Sequence, residues 1–573
     1  MSMFRYLLMV AVIASPLVNS NALALDSDES TYPVRLVASP KETTHRIDPR
    51  LFGHFLERPS WERENGPESA LIPNTREVRP DVLALMRELR IPVIRFPGGT
   101  DVDYQDWTGL IDGAPGRAES GRPVFTGRQG ESVTQEFGFD EFFTLADELG
   151  AEAMVVVNLL DGLAGRKPLS EAAEHAAALV AYCNAPLENK LPAKLAEWPL
   201  LRSKNGHPKP FGARYVQLGN ELWTGDYKKE IAAFLGHEDA EKHAEWAVKV
   251  LRAYVSAIRA VDSRVEFLVD GVMWMGIDEK VLSDPELKQH VKYATFHLYA
   301  LFGTRGLWKN GQRLQTSQTT PVQWWWTLIA AGGDTDHEDG QARLAQEAER
   351  RAKAVRLGYK IAFTEWNYGT WWRMPESERP ELSLRNASGV GLAGFLHALM
   401  RAPDAALATQ SMLVGRSWDI AGIRAGNMDV PAYFLPQAQV MRLYNNHRGD
   451  QLLSVQVLGN PMVAVEESLH ERSAADAKPR NVAALDVLCT LSDKGEVHLH
   501  LINRDPVRTA VVQPLPEDFP GAGHGDATLR TLAFGLAEWS PGSVQEKTVR
   551  VSLKENIPLP PRSVNVLSLL PAR

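Results

Sequence analysis

The chain has very few cysteines: only Cys183 and Cys489 occur in 573 residues. Two cysteines permit at most one bridge, which excludes a fold held together by a disulfide framework. Each is more simply interpreted as a small buried hydrophobic residue. Neither lies in a Cys-x-x-Cys motif, and His and Cys residues are not grouped at metal-ligand spacing, so we expect no metal site.

The sequence also lacks a block of positive charge. It carries 62 Lys and Arg against 71 Asp and Glu, a formal net charge of −9. No basic stretch is long enough to follow a phosphate backbone, so nucleic acid is not an expected partner. Hydrophobic residues make up 44% and charged residues 23%, which is typical of a soluble globular protein.

Beyond the N-terminus, no stretch approaches the roughly 20 apolar residues of a membrane-spanning helix. Residues 1–24 have the layout of a secretory signal peptide, with Arg5, a short apolar run at Tyr6–Val18 and the small-residue site Ala22-Leu23-Ala24. The alternative is an uncleaved membrane anchor. We therefore predict an exported protein, secreted or periplasmic, that is not in the membrane after cleavage.

A Gly-x-Gly-x-x-Gly motif after the first strand is missing too, which removes one common reason for a doubly wound sheet. Residues 46–440 instead alternate eight short apolar runs with longer helical patterns. Apolar strands separated by helices predict an α/β fold with a parallel sheet covered on both faces. Their number favours a (β/α)8 TIM barrel, with the doubly wound sheet as the main alternative.

The pattern changes near the C-terminus. Residues 441–573 contain short alternating or apolar runs separated by Gly, Pro, Asp and Asn, which predicts a C-terminal all-β domain, a jelly-roll-like sandwich. Residues 25–45 have the same character and are expected to add a strand to it. Two domains suit the length, because one hydrophobic core rarely serves 573 residues.

Two glutamates occupy a position typical of catalytic groups. Predicted strand four ends in Gln217-Leu-Gly-Asn-Glu221 and predicted strand seven in Ala362-Phe-Thr-Glu365-Trp-Asn. Catalytic side chains of barrel enzymes lie at the C-terminal ends of strands. Two carboxylates are what glycosidic hydrolysis requires. The alternative is that each glutamate is a surface residue or half of a structural ion pair.

Five motifs share their form and order with those of one enzyme family. They are Gly53-His-Phe-Leu-Glu57, Arg95-Phe-Pro-Gly-Gly99, Gly219-Asn-Glu221, His297-Leu-Tyr299 and Glu365-Trp-Asn367. On predicted strands one, two, four, six and seven, they resemble the α-L-arabinofuranosidases of glycoside hydrolase family 51. The wider clan of retaining (β/α)8 glycosidases is a more distant likeness.

The resemblance implies a role for each motif residue. Glu221 would be the general acid/base and Glu365 the nucleophile, roughly 5 Å apart, giving net retention without a cofactor. Asn220 would bind the sugar 2-hydroxyl. His297 and Tyr299 would hold Glu365 by hydrogen bonds.

Three further residues are candidates for substrate binding. Glu57 and Arg95 could form a purely structural pair, or Glu57 could hold sugar hydroxyls while Arg95 positions the carboxylates. Among the 15 tryptophans, Trp366 is the first choice for stacking on a sugar, because it follows Glu365.

Departures from the family pattern leave the specificity open. Thr100 stands where the family has a substrate-binding Asn, and Arg58 where it has a His. The expected substrate is a carbohydrate, most simply an α-L-arabinofuranoside. The alternatives are a retaining endo-glucanase, xylosidase or galactofuranosidase, or a carbohydrate-binding barrel without turnover. Relatives of this type often form homo-oligomers.

Overall fold

The computed structural model describes residues 30–57, 63–117, 121–127, 130–222, 225–270, 278–331, 347–469, 471 and 479–569. The predicted signal peptide at 1–24 lies outside these residues, as does Arg58.

Eight parallel strands form a closed barrel, which confirms the predicted fold class. In chain order the barrel strands are Gly53–Glu57, Val93–Gly98, Glu152–Val157, Tyr215–Leu218, Glu266–Asp270, Val291–Thr304, Lys360–Trp372 and Ala405–Ser411. The eighth strand closes on the first, with Thr409 opposite Gly53. Side chains fill the barrel interior, including those of Val93, Met154, Tyr215, Leu268, Tyr293, Ala362 and Leu407.

Helices surround the barrel. The longer ones are Pro80–Glu88, Phe139–Leu149, Leu169–Asn184, Ala193–Lys204, Gly225–Leu235, Ala240–Val261, Pro321–Ala331, Ala348–Arg356, Leu384–Arg401 and Pro436–Asn446. Short α-helices lie at Leu160–Leu163, Asp278–Ser283 and Leu287–His290, and 3-10 turns at Pro49–Phe52, Gly66–Ala70, Thr100–Asp103, Trp107–Leu110, Thr316–Gln318, Glu376–Glu378 and Ala522–His524. Within the described ranges, no helix combines the length and apolar character needed to cross a bilayer.

The local sequence explains where these helices begin and what they bury. Ala240–Val261 begins after Asp239, whose side chain accepts hydrogen bonds from the N–H groups of Glu241 and Lys242. The alanines of Leu169–Asn184 let this helix pack closely, and its residues from Ala176 to Asn184 are all buried.

The main sheet of the β domain has nine strands in the described residues, in the spatial order Glu546–Ser552, Asp526–Ala533, Ser563–Leu569, Val497–Asn503, Leu485–Leu491, Gln451–Leu458, Thr31–Arg46, Thr509–Val512 and Ile557–Leu559. Thr31–Arg46 pairs antiparallel with Gln451–Leu458 and parallel with Thr509–Val512. The start of the described chain is therefore part of the C-terminal domain. Small sheets are formed by Phe125–Thr126 with Ser132–Val133, Leu307–Lys309 with Gln312–Leu314, Met462–Val465 with Arg480–Ala483, and Val414–Gly415 with Ile423–Arg424 and Tyr433–Phe434.

The run Trp324, Trp325, Trp326 is buried where barrel and β domain meet. Trp326 packs into the apolar core of the β domain. Trp325 donates from its indole nitrogen to the carbonyl of Arg504 at 2.7 Å. This tryptophan cluster therefore packs the domain junction and offers no open face to a sugar.

Cys183 and Cys489 are both free and buried. Cys183 lies in the helix Leu169–Asn184 of the barrel, and Cys489 lies in the β-domain strand Leu485–Leu491. Burial raises the pKa of the Cys489 thiol to about 12. Both cysteines thus act as small apolar residues.

A buried polar network joins the two domains around Asp486. Its carboxylate accepts from Arg401 and from Arg504, both at 2.6 Å, and lies 3.2 Å from His397 Nδ1. Tyr444 OH lies 2.9 Å from the other ring nitrogen of His397. Burial alone would raise the pKa of Asp486, but the charges of Arg401, Arg504 and His397 outweigh burial and hold it well below its usual range.

Replacing Asp486 tests this junction. Asp486→Asn keeps the shape but leaves the buried Arg504 and the partly exposed Arg401 without a counter-charge, so we expect the free energy of unfolding to fall by about 3 kcal/mol. The measurement is urea unfolding at neutral pH. Asp493→Asn is the matched control, because the Asp493–Arg46 pair is 3.6 Å long and exposed; its unfolding should not change measurably. Equal effects would show that the network does not stabilise the junction.

Candidate active site

Glu221 and Glu365 meet at the carboxyl end of the barrel. Glu221 follows the fourth strand and Glu365 lies within the seventh. Their carboxylates approach the same nitrogen, His297 Nδ1, at 3.0 Å and 3.5 Å. One ligand atom from each of the three residues lies within 4.8 Å of the others. The seventh strand runs on to Trp372, so Glu365 is not at its end as predicted, but the two residues, far apart in sequence, still bring their carboxylates together.

Glu365 is nearly buried, with 5% of its surface exposed. Arg95 Nη1 donates to its Oε1 at 3.1 Å, and Tyr299 OH donates to its Oε2 at 3.0 Å. Each carboxylate oxygen thus has its own donor. The side chain is held in one orientation, with a cation beside its negative charge.

Arg95 reaches from the second strand to the fourth and the seventh. Besides Glu365, it donates to Asn220 Oδ1 at 2.6 Å and to Gln217 Oε1 at 2.9 Å. Its guanidinium lies 5.1 Å from the centre of the Phe55 ring. Among the described contacts, it makes no ion pair with Glu57, so the structural Arg95–Glu57 pair considered above is not formed.

Glu57 lies at the end of the first strand, 6% exposed. Burial raises its pKa well above the usual 4.5, and the charges of Glu365, Glu221 and Asp101 raise it further, while Arg95 opposes the shift. A Cβ atom at Gly99 would lie 2.2 Å from Glu57 Oε1, and Gly99 has φ +77°. Only glycine fits both the backbone conformation and the space beside Glu57.

His297 is buried between the two glutamates. Nδ1 lies 3.0 Å from Glu221 Oε1, and Nε2 lies 3.0 Å from the hydroxyl of Thr364. Its shorter contact is with Glu221 rather than Glu365, which differs from the expectation. Burial alone would lower its pKa, but the carboxylates of Glu365 and Glu221 outweigh burial and raise it.

The backbone around Glu221 is unusual. Glu221 adopts a left-handed conformation with φ +51°, which costs a residue with a side chain about 1–2 kcal/mol. The preceding Asn220 is fully buried. Its Oδ1 accepts from Arg95, whereas its Nδ2 has no partner among the described residues. A buried donor is therefore available next to Glu221.

The structure places Trp366 away from the site, so the prediction that it stacks on a sugar is wrong. Trp366 is fully buried and packs on Phe395 of the helix Leu384–Arg401, with 5.5 Å between ring centroids. Successive residues of a strand point to opposite faces. Because Glu365 faces the barrel interior, Trp366 must face the surrounding helices.

Sequence reasoning missed several polar residues around the site. Gln217 and Thr364 contact Arg95 and His297, as described above. Asp103 and Asp270 are fully buried at the ends of the 3-10 turn Thr100–Asp103 and of the fifth strand. An acidic residue that closes an apolar strand, as Asp270 does in Glu-Phe-Leu-Val-Asp270, could have been recognised by the reasoning applied to Glu221.

Glu64 is a further residue that the sequence analysis missed. It is 1% exposed and accepts from the backbone N–H groups of Asn65 and Gly66 in its own loop. It also accepts from the N–H groups of Arg416, Ser417 and Trp418, and from the Ser417 hydroxyl. One carboxylate thus joins the loops that follow the first and the eighth strand.

Glu221, His297 and Glu365 could together hold a metal ion, because each offers one ligand atom. The sequence itself predicts no metal site. The same atoms already make hydrogen bonds within the site, so the geometry does not require an ion.

Comparison with known proteins shows that the chain resembles arabinofuranosidases. Residues 85–301 match the family model described as "Alpha-L-arabinofuranosidase 1 domain". Intracellular exo-α-(1→5)-L-arabinofuranosidase 1 of Bacillus subtilis is 27% identical over 356 residues, which cover 60% of this chain and 60% of that protein. The matched part thus spans less than two thirds of that relative's length.

The fold has close counterparts among solved structures. The family 51 α-L-arabinofuranosidase from Thermotoga petrophila aligns with a TM-score of 0.64 at 20% identity, covering 94% of this chain and 100% of that one. The family 51 α-L-arabinofuranosidase AbfB from Bifidobacterium longum gives a TM-score of 0.66 at 19% identity, with the same coverage. The barrel and its β domain are therefore an arrangement shared with these enzymes.

Removing the Glu57 carboxylate should stabilise the fold in a pH-dependent way. At pH below 4.5, Glu57 is protonated both folded and unfolded. As pH rises further, the unfolded chain ionises while the folded one keeps its proton, so the wild type loses about 1.4 kcal/mol per pH unit until the raised pKa is reached. Glu57→Gln escapes this loss, so its gain in melting temperature should grow from pH 4.5 to pH 7.5.

The exposed Glu517 provides the control. Glu517→Gln should show no gain that grows with pH in the same melting experiments. A Glu57→Gln variant whose stability change is constant over this range would contradict the raised pKa of Glu57.

Proposed function

We propose that this chain is an exported retaining glycoside hydrolase that releases α-L-arabinofuranosyl residues from polysaccharides or their oligosaccharides. The observation that carries the proposal is the carboxylate pair, with oxygen atoms of Glu221 and Glu365 within 4.8 Å of one another. Retaining enzymes hold their two carboxyl groups roughly 5–5.5 Å apart, whereas inverting enzymes need roughly 6.5–9.5 Å to admit a water molecule. The names of the similar proteins supply the sugar.

The environments of the two glutamates support different roles. Glu365 accepts hydrogen bonds from Arg95 and Tyr299. These bonds fix the orientation of its carboxylate, and the guanidinium balances its charge, as suits a nucleophile that attacks the anomeric carbon. The Glu221 side chain is 24% exposed and has His297 beside it. It can reach the leaving-group oxygen to give its proton, and later take a proton from the water that releases the sugar.

Two buried polar groups suit the sugar hydroxyls. The free donor Asn220 Nδ2 lies beside the acid/base, where it can hydrogen-bond the 2-hydroxyl. Glu57, with its raised pKa, can donate as a neutral carboxylic acid or accept. Neither role needs a metal or an organic cofactor.

The residues around Glu57 leave the sugar and the mode of cleavage to be tested. Thr100 and the buried Asp101 follow Gly99 beside Glu57. Thr100 stands where the resembling family has an asparagine, and its hydroxyl cannot replace both the donor and the acceptor of that amide. Endo-glucanase, xylosidase and galactofuranosidase activities are therefore included in the test below. A non-catalytic carbohydrate-binding barrel has no need of both glutamates.

Export is proposed from residues 1–24, although the Bacillus relative is named as intracellular. Expression in a host with a secretory pathway should yield a protein outside the cytoplasm whose N-terminus is Leu25. Intact-mass measurement checks this. A cytoplasmic protein that retains Met1 would contradict it.

Hydrolysis of aryl glycosides tests the enzyme class. We expect the mature protein to hydrolyse 4-nitrophenyl α-L-arabinofuranoside in preference to the β-D-xyloside, β-D-glucoside and β-D-galactofuranoside. Glu365→Ala, the blank, should lose at least about 10⁴-fold in kcat, since removing a covalent nucleophile is of that order. Preference for another sugar would replace the proposed specificity. No hydrolysis of these glycosides or of polysaccharides would favour the carbohydrate-binding protein without turnover.

Rescue by azide assigns the roles. Glu365→Gly with azide should give a glycosyl azide of inverted anomeric configuration, and Glu221→Ala one of retained configuration, both identified by NMR. The opposite pattern would exchange the roles of the two glutamates.

A further inference from the structure

The backbone N–H groups of the two residues that flank Glu221 are held by buried aspartates that the proposed mechanism does not use. The N–H of Asn220 donates to Asp103 Oδ2 at 2.9 Å, and the N–H of Leu222 donates to Asp270 Oδ2 at 3.2 Å. Asp103 is fully buried and Asp270 is 1% exposed. Between these two bonds lies the left-handed residue Glu221.

We propose that Asp103 and Asp270 are positioning residues that hold the left-handed turn at Glu221 and thereby aim its carboxyl group at the leaving-group oxygen. The inference rests on the proposed function for the role of Glu221. The turn is unfavourable for a residue with a side chain, so it persists only where its surroundings hold it.

Asp103 holds the turn from the side of the second and third strands. Its second oxygen, Oδ1, accepts from the N–H groups of Leu159 at 2.8 Å and Leu160 at 3.3 Å. Both carboxylate oxygens therefore face backbone groups that can only donate. An asparagine would place its NH2 group against one of these N–H donors, so Asp103 cannot be replaced by its amide without losing a bond.

Asp270 holds the turn from the side of the fifth strand. Its second oxygen accepts from the hydroxyl of Thr295 at 2.7 Å. A hydroxyl can either donate or accept. Asp270→Asn can therefore keep both hydrogen bonds, with its oxygen facing Leu222 and its NH2 group facing Thr295, whereas Asp270→Ala loses both.

Loss of this positioning should impair proton donation by Glu221 but not nucleophilic attack by Glu365. Glu365 lies on the seventh strand and is held by Arg95 and Tyr299; within the described chain it makes no hydrogen bond to either aspartate. Attack by Glu365 should therefore survive, while proton donation by Glu221 should fail. Only substrates with poor leaving groups need that proton.

The test compares kcat/KM for 2,4-dinitrophenyl and phenyl α-L-arabinofuranoside, measured on the same preparation so that the ratio does not depend on the folded fraction. Asp103→Asn and Asp270→Ala should lose roughly 100-fold or more on the phenyl substrate and far less on the dinitrophenyl substrate. Asp270→Asn should lie much closer to the wild type on both.

Asp140→Asn is the matched control. Asp140 is also a buried aspartate, accepting from Tyr182 OH at 2.6 Å in the helix Phe139–Leu149, away from the carboxylate pair. Its replacement should change both rates by the same factor. If Asp103→Asn behaves like this control, or if both substrates are unaffected, the proposed positioning is wrong.

Hydrogen exchange tests the two anchoring bonds independently of activity. Deuterium uptake of peptides covering residues 214–222 should rise in Asp103→Asn and Asp270→Ala, but not in Asp140→Asn. Unchanged uptake would overturn the inference. A wild type that hydrolyses neither arabinofuranoside would instead overturn the proposed function, while the exchange result would still decide whether the aspartates hold the turn.

Discussion

The buried guanidinium of Arg95 is the interaction on which the candidate site depends. It donates to Glu365, Asn220 and Gln217, and so joins the second, fourth and seventh barrel strands in one hydrogen-bonded group. Without this cation, the nearly buried carboxylate of Glu365 would lose the positive charge beside it, and Asn220 and Gln217 would lose their donor. The planar fork of arginine suits this task, because it can point donors at several acceptors at once.

Several features of the site cost folding free energy. Glu57 keeps a raised pKa, Glu221 is left-handed and Asn220 Nδ2 has no partner among the described residues. A closed barrel with a filled interior tolerates these features, because its strands cannot move apart to relieve them. Local strain at a rigid site is typical where function requires it.

The β domain is joined to the barrel both by the chain itself and by buried contacts. Strand Thr31–Arg46 belongs to the β domain, yet it leads directly into the first barrel strand. Asp486 of the β domain binds Arg401 of a barrel helix, and Trp325 and Trp326 fill the junction. These contacts give the β domain a structural role in holding the helices Pro321–Ala331 and Leu384–Arg401, which follow the sixth and the seventh barrel strand.

The sequence by itself determined the fold class, the β domain and the assignment of Glu221 and Glu365 to the fourth and the seventh strand. These features follow from local periodicity, and period two also implies that Trp366 points away from Glu365. Only the tertiary structure decided the partners: Arg95 binds Glu365, 270 positions away, and Asp103 holds Asn220, 117 positions away. Such contacts depend on the register and tilt of strands around a closed barrel, which the sequence near either residue does not contain.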